Sequence, residues 1–424
     1  MELWLLAAAR RYPHQAAVVT VERTLTYGKL EALSLVAAGA LRDRGVRRGD
    51  RVALALPPGE SFAVAVHGAL LLGAVITPID LRLSAEERAL RAGAAVVVDE
   101  PLRGAAAAES AKVELDDPMA VLHTSGTTST PKSVTLSYRN WLASAHGSAV
   151  SLGREEEDRW LCPMPLVHVG GLSVLIRSAI YGTTAILHER FDTEAVLAEL
   201  MNPTRRITLV SLVPTMLARL LDAGLSHPPT LRWALLGGGP IAPALLERAR
   251  DAGVPVAPTY GMTEACSQIA TFGRPLPGTE VQLAPDGEIL VRGDTVSVAA
   301  LADDGWLHTG DLGRFDEERQ LEIVGRKSDT IVTGGENVAP AEVEAVLLEH
   351  PDVADAAVHP RADPEWGEAL VATIVLRDGA QPRPDELRGF CAGRVARFKV
   401  PNAFEFAAEL PRTPGGKLLR RELR

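Results

Sequence analysis

Leu122-His-Thr-Ser-Gly-Thr-Thr-Ser-Thr-Pro-Lys-Ser-Val134 is the stretch whose reading decides the rest of the chain. It places hydroxyls, a glycine and a lysine directly after an apolar segment, Met119 to Leu122, that reads as the end of a strand. Such a loop suits a phosphate. Glycine lets the backbone approach an anion closely, each Ser or Thr adds a donor, and Lys132 supplies positive charge at the far end. The candidate ligands are Thr124, Ser125, Gly126, Thr127, Thr128 and Lys132.

The nearest mechanical comparison is the P-loop, since Gly126 to Ser133 reads Gly-x-x-x-x-Pro-Lys-Ser. Pro131 breaks that match. It has no N–H and a fixed φ, so the usual amide cradle cannot run from it into a helix. A polar turn between two strands is the competing reading of the same residues.

Composition narrows the function. The 424 residues suffice for two or more domains and a large core. A formal net charge of -10 argues against a general nucleic-acid or anionic-membrane binder, so a phosphate ligand must find positive charge locally. The three cysteines, Cys162, Cys266 and Cys391, lie far apart with no C-x-x-C spacing, which speaks against a disulfide framework or a zinc site. Met1 to Arg11 puts its basic charges after a short apolar run, the reverse of a signal peptide. The most apolar run, Phe62 to Ile76, is broken by His67 and two glycines and closed by Pro78, so it reads as a buried helix leading into a strand, with no integral membrane segment. A cytoplasmic protein is expected.

Outward from the loop, helix and strand signals alternate. Thr26 can cap a helix running to about Arg44, Arg51 to Leu56 reads as a short strand, and Ser84 caps a helix ending near Gly93 ahead of the strand Ala94 to Val98. That rhythm predicts a parallel sheet covered by helices. After the loop, Tyr138 to Leu152 reads as helix and Arg159 to Pro165 as strand, and His168 to Tyr181 as a glycine turn leading into an apolar helix. This helix carries one charge, Arg177. Buried and unpaired, it would cost roughly 3–5 kcal/mol, so it requires an anionic partner, either an internal Asp or Glu or a ligand.

Two later strand ends carry chemistry. Leu231 to Leu236 runs into Gly237-Gly238-Gly239-Pro240, and glycines at a strand's carboxyl end open a crevice where a flat ring can lie against backbone, a tight turn being the alternative. Val254 to Ala257 delivers Thr259-Tyr260-Gly261-Met262-Thr263-Glu264, an acid beside hydroxyls that fits a Mg²⁺ or phosphate site; a capping or solvated Glu264 is the alternative. Gly278 to Gln320 changes to short strands with Gly and Asp turns, a small β-rich subdomain. Gly325 to Asp329, followed by Thr333-Gly334-Gly335, marks the expected boundary between domains 1–326 and 327–424. The second reads as a compact α+β unit with helices Pro340 to Glu349 and Asp385 to Arg394 and strands Val353 to Val358, Leu370 to Leu376 and Ala403 to Phe406. Its tail, Pro411 to Lys417, sets a lysine on a turn stiffened by prolines, a solvated basic tail being the alternative.

Together these motifs resemble the adenylate-forming superfamily of acyl-CoA synthetases, firefly luciferases and nonribosomal-peptide adenylation domains. Thr124 to Lys132, Gly237 to Pro240, Tyr260 to Glu264, Thr309-Gly310-Asp311, Gly325-Arg326 and Pro414 to Lys417 stand in the family's order and span nearly the whole chain. Trp160 to Gly182, Ser211 to Leu221 and Thr259 to Thr271 look most like the o-succinylbenzoate–CoA ligases of menaquinone biosynthesis.

The resemblance implies an α/β fold: a large N-terminal domain of α/β sheets plus a small β-rich subdomain, then a small mobile α+β C-terminal domain. It implies an ATP-dependent acid–CoA ligase that works through an acyl-adenylate on a small carboxylic acid, using ATP, Mg²⁺ and coenzyme A. By that resemblance Thr124 to Thr128 and Lys132 grip the β- and γ-phosphates. Gly237, Gly238, Gly239, Pro240 and Tyr260 flank adenine, with Gly261 and Met262 in the same nucleotide-binding segment. Thr263 contacts the α-phosphate and Glu264 holds Mg²⁺. Asp311 and Arg326 bind the ribose, and Lys417 stabilises the adenylation transition state. Ser328 takes the hinge position, where the family commonly has Asp or Lys, Gly334 and Gly335 line the pantetheine path, and His168 and Arg177 face the acyl pocket. Ser129 and Ser133 stand where the family usually has glycine, which keeps open a non-catalytic nucleotide-binding relative. An aryl- or fatty-acyl-CoA synthetase of other substrate and a stand-alone carrier-loading adenylation enzyme are further alternatives. The oligomeric state is left open, a homo-oligomer included.

Overall fold

Side-chain caps start the helices where local sequence provides them. Thr26 accepts a hydrogen bond from Lys29 N at the head of Tyr27–Asp43, and Ser84 and Glu87 close a reciprocal box ahead of Ala85–Ala92. Ser137 and Asn140 do the same for Tyr138–Leu152. The computed structural model describes the chain except residues 105, 125–131, 334–335, 364–365, 413–417 and 424, together with the side chains of 337 and 421.

The fold is α/β. A nine-stranded sheet has a central parallel run, Val256–Met262, Trp233–Leu236, Leu209–Leu212, Arg159–Cys162, Thr184–Leu187 and Ala16–Val19, with antiparallel strands at both ends. A five-stranded sheet is ordered Val96–Val98, Arg51–Leu54, Val75–Pro78, Pro118–Thr124 and Lys132–Ser137; its last pair is an antiparallel hairpin and the others run parallel. The parallel sheet expected of residues 17–98 is therefore shared between two sheets. Val18 and Val19 pair in parallel with Ala185 and Ile186, and Thr184 Oγ1 donates to Ala16 O at 2.7 Å, a long-range match that local periodicity does not encode. The apolar run at residues 62–76 becomes the buried helix Glu60–Leu71 and the strand Val75–Pro78, as expected.

The chain divides into two compact units. The first comprises Met1–Gly238, Arg250–Glu280 and Val291–Leu307, and the second Gly239–Ala249, Val281–Leu290 and His308–Arg424. The first is built on a continuous core that includes Phe62, Trp141, Trp160 and Leu175. The second has its own core of Ile331, Val343, Val358, Leu370, Ile374 and Leu387, formed where the long hairpin Val353–Asp363 and Gly367–Leu376 meets the helices Pro340–Leu348 and Pro384–Ala392. All three cysteines are buried free thiols. Among the described residues, no helix is long and apolar enough to cross a membrane.

Candidate active site

The two described ends of the stretch, Leu122–Thr124 and Lys132–Val134, are antiparallel paired strands. Thr124 ends one strand opposite Lys132 at the start of the next, and Thr124 Oγ1 donates to Lys132 O at 3.4 Å. Ser125, Gly126, Thr127 and Thr128 lie outside the described residues, as does Ser129. Ser133 is paired with His123 in regular register and is not among the residues with positive φ, so replacing glycine there introduces no backbone strain. His123, beside Thr124, is held neutral: burial, then the charges of Arg91 and Arg51, push its pKa down to about 4.

Leu212 and Leu236 end two parallel strands and stand level with Pro258, the last residue of the third to pair in parallel, so the segments that follow leave the same edge of the nine-stranded sheet. Gly237 N donates to Leu212 O at 3.2 Å, and a Cβ at Gly237 would lie 2.7 Å from Thr259 Cγ2 and 2.9 Å from Thr259 O. Only glycine fits there. Gly261 is tighter still, since a Cβ would fall 1.6 Å from Ser267 O. The start of the glycine turn is thus packed directly against the Tyr260 strand, and Gly261 against the strand that pairs with it. Gly239 and Pro240 belong to the second unit.

Beyond Tyr260, Gly261 and Met262 the strand breaks into a single turn, Thr263–Ala265. Thr263 and Glu264 are both partly exposed on it. The next two residues, neither of them glycine, have positive φ, Cys266 at 49° and Ser267 at 92°, a conformation that persists only where surrounding contacts impose it. Those contacts are present: Ser297 N donates to Glu264 O at 2.8 Å and Ser144 Oγ donates to Cys266 O at 2.6 Å. No three His, Cys, Asp or Glu side chains converge as a metal cage among the described residues. A single partly exposed carboxylate, Glu264, is nevertheless the donor set that suits Mg²⁺, which takes one or two protein carboxylates and leaves its other positions to water and phosphate oxygens.

His168 and Arg177 lie at the head and in the body of one helix, Val169–Tyr181, with very different surroundings. His168 is exposed at the N-cap and makes no capping bond; partial desolvation of its ring, then the nearby Arg82, lowers its pKa, while Asp80 opposes them. Arg177 is 1% exposed. Its Nη2 donates to Ser144 Oγ at 2.8 Å, its guanidinium lies 5.8 Å from the Trp160 ring centroid, and its Nε has no partner. Burial lowers its pKa, with the only opposing influences from Tyr181 and Cys266. Among the described residues no Asp or Glu pairs with it, so of the two partners its sequence context required, the internal carboxylate is not found.

In the second unit, Asp311 and Arg326 face each other across paired strands, Leu307–Phe315 and Leu321–Arg326, with Arg326 Nε 2.7 Å from Asp311 Oδ1. Asp311 is buried and Arg326 half exposed. The next residue, Lys327, is fastened by Glu288 at 3.0 Å and Asp286 at 2.5 Å, and Ser328 sits exposed in the turn Lys327–Asp329. Gly334, Gly335 and Lys417 lie outside the described residues. Ser297, Ser144 and Asn140 hold the site together without being legible as site residues in the sequence. Only Asn140 carries a local signal, the Ser137-x-x-Asn140 cap.

Glycine backbone at the carboxyl ends of parallel strands, with a Thr-Glu turn beside the strand that Lys132 begins, is the setting in which open α/β sheets bind nucleotides. The AMP-binding enzyme family model matches residues 5–98 and 90–298, and that of the AMP-binding enzyme C-terminal domain matches 342–417; the chain belongs to this family. It is 39% identical to the 2-succinylbenzoate–CoA ligase of Bacillus licheniformis, over 99% of this chain and 98% of that protein. It is 37% identical to that of Bacillus subtilis, over 99% and 97%. The structure of o-succinylbenzoate CoA synthetase from Bacillus subtilis in complex with the acyl-adenylate intermediate OSB-AMP superimposes with a TM-score of 0.92 at 36% identity, covering 100% of this chain and 98% of that one. The same enzyme in complex with ATP and magnesium ion gives 0.89 at 36% identity, covering 99% and 98%.

Proposed function

We propose that this chain is an AMP-forming acid–thiol ligase that converts o-succinylbenzoate to its CoA thioester in two half-reactions, in the cytoplasm. In the first, a carboxylate oxygen attacks the α-phosphorus of ATP, the bond from that phosphorus to the pyrophosphate oxygen breaks, and acyl-AMP forms. In the second, the CoA thiolate attacks the acyl carbon and AMP leaves with its oxygen. No enzyme nucleophile is required; the protein positions the reactants and neutralises phosphoryl charge.

The residues divide accordingly. Lys132 and the hairpin tip take the β- and γ-phosphates, Gly237 and Gly238 with Tyr260 enclose adenine, and Thr263 donates to the α-phosphate. Glu264 would hold Mg²⁺, which when bound would supply charge neutralisation for the phosphates. Asp311 and Arg326 take the ribose hydroxyls. Lys417, on a small domain of residues 327–424 that pivots at Ser328, stabilises the adenylation transition state, and Gly334 and Gly335 line the thiol path in the second half-reaction.

Family membership supports the reaction type, and Arg177 carries the choice of substrate. It is a buried cation without a carboxylate partner among the described residues. o-Succinylbenzoate retains a second carboxylate after the first is adenylated, whereas a fatty acid brings none. The test is incubation with ATP, Mg²⁺, CoA and a panel of carboxylic acids, reading pyrophosphate release and thioester formation. Turnover should be highest with o-succinylbenzoate; preference for a fatty acid or a simple aryl acid, or no turnover with any acid, refutes the reading. Lys417→Ala should lose adenylation by about 10²-fold or more, the scale for removing one preorganised donor, yet still convert supplied acyl-AMP to thioester.

A further inference from the structure

We infer that Ser297 is a positioning residue that fixes the Glu264 turn against the phosphate hairpin. Its backbone N donates to Glu264 O at 2.8 Å, and its hydroxyl donates to Thr135 O at 2.7 Å, in the strand Lys132–Ser137 that Lys132 begins. One residue, 1% exposed, thus spans the two segments that take the metal and the phosphates in the proposed function, on which this inference rests.

Ser297 is itself held from the first turn of the helix that follows that strand. Asn140, 4% exposed, accepts from Ser137 N at 2.8 Å through Oδ1, and its Nδ2 donates to Asp294 O and Val296 O at 2.9 Å each. The residues leading into Ser297 are therefore clamped to the end of the hairpin strand, and a shift of that strand is passed to Glu264 through two short hydrogen bonds. The far side of the turn is anchored separately by Ser144 on Cys266 O, backed by Arg177. With Cys266 and Ser267 both at positive φ, the turn has a strong tendency to relax if either anchor is lost. Mg²⁺ is demanding in its coordination geometry, so if Glu264 is to hold it for the phosphates, the Glu264 turn would have to keep its place relative to the hairpin strand.

Ser297→Ala removes the hydroxyl bond and leaves the backbone bond to Glu264. Adenylation should slow by about fivefold to tenfold, the scale of one buried hydrogen bond, and half-maximal activity should need more Mg²⁺. Thioester formation from supplied acyl-adenylate, which involves neither metal nor pyrophosphate, should be unchanged, and Ser297→Thr, which restores the hydroxyl, should recover adenylation. Equal loss in both half-reactions, or no change in either, overturns the inference. Calorimetry of ATP binding with Mg²⁺ and with EDTA tests it independently of turnover. Ser297→Ala should lose Mg²⁺-dependent affinity while binding in EDTA is retained, and retention of the Mg²⁺ effect overturns the inference even if the substrate assignment fails. Ser297→Cys, nearly isosteric with a weak donor, replaces the alanine variant if that chain does not fold.

Discussion

Arg420 and Arg177 are both largely or fully buried, one in each unit, and differ in what faces the guanidinium. Arg420 is met by a two-pronged contact from Glu344, with Nη2 2.8 Å from Oε2, by Asp329 at 3.2 Å and by the Val358 carbonyl at 3.0 Å. Arg177 meets a serine hydroxyl and an indole face, and its Nε is left without a partner. A fold that needs a buried cation for structure supplies its counter-charge, as the second unit does. The first unit leaves the counter-charge out among the described residues, and the proposed function assigns that place to the free carboxylate of the substrate.

The comparison breaks first on stability. Arg420→Met strands Glu344, which is itself buried, and should cost about 3–5 kcal/mol, read by denaturant unfolding of the second unit. Arg177→Met strands no carboxylate and should cost far less or be neutral. If the two substitutions are equally destabilising, Arg177 is a structural residue and the substrate argument falls with it.

A second buried group without a partner sharpens the same contrast. His67, 4% exposed with Nε2 unpaired, has its pKa pushed by burial from 6.5 down to about 4. The unfolded chain therefore takes up the proton first as pH falls. Stability from this residue is full above pH 6.5 and is lost as pH drops through 6.5 towards 4, by up to about 3 kcal/mol. His67→Leu should flatten that part of the stability–pH profile of the first unit. An unaltered acid slope would mean that His67 is solvated or paired in solution.

Much of this molecule is legible in its sequence because its signals are local. Thr26 and Ser84 cap the helices they were expected to cap, and the helix at Pro340–Leu348 and the strand at Ala403–Phe406 lie where turn and periodicity signals put them. The glycines at 237 and 261 are needed for close backbone approach, a property visible in residue type alone. The illegible part is long-range. The helix Trp4–Arg11 has no cap to announce it, and the assignment of Ala16–Val19 to the nine-stranded sheet depends on a partner more than 160 residues away. Ser144 and Ser297 act through hydrogen bonds to distant backbone carbonyls, and nothing in their flanking residues marks them. Arg177 is visible in the sequence as an anomaly, and the structure removes one of its two explanations among the described residues.

The remaining explanation is tested by the steady-state kinetics of Arg177→Ala with o-succinylbenzoate and with benzoate-like monoacids. Loss of a charged hydrogen-bonded contact should raise KM for the dicarboxylate by about 10- to 100-fold and leave the monoacids little changed. Equal effects on both acids would contradict the account, since the arginine would then be serving the fold or the adenylated end of the substrate rather than the free carboxylate.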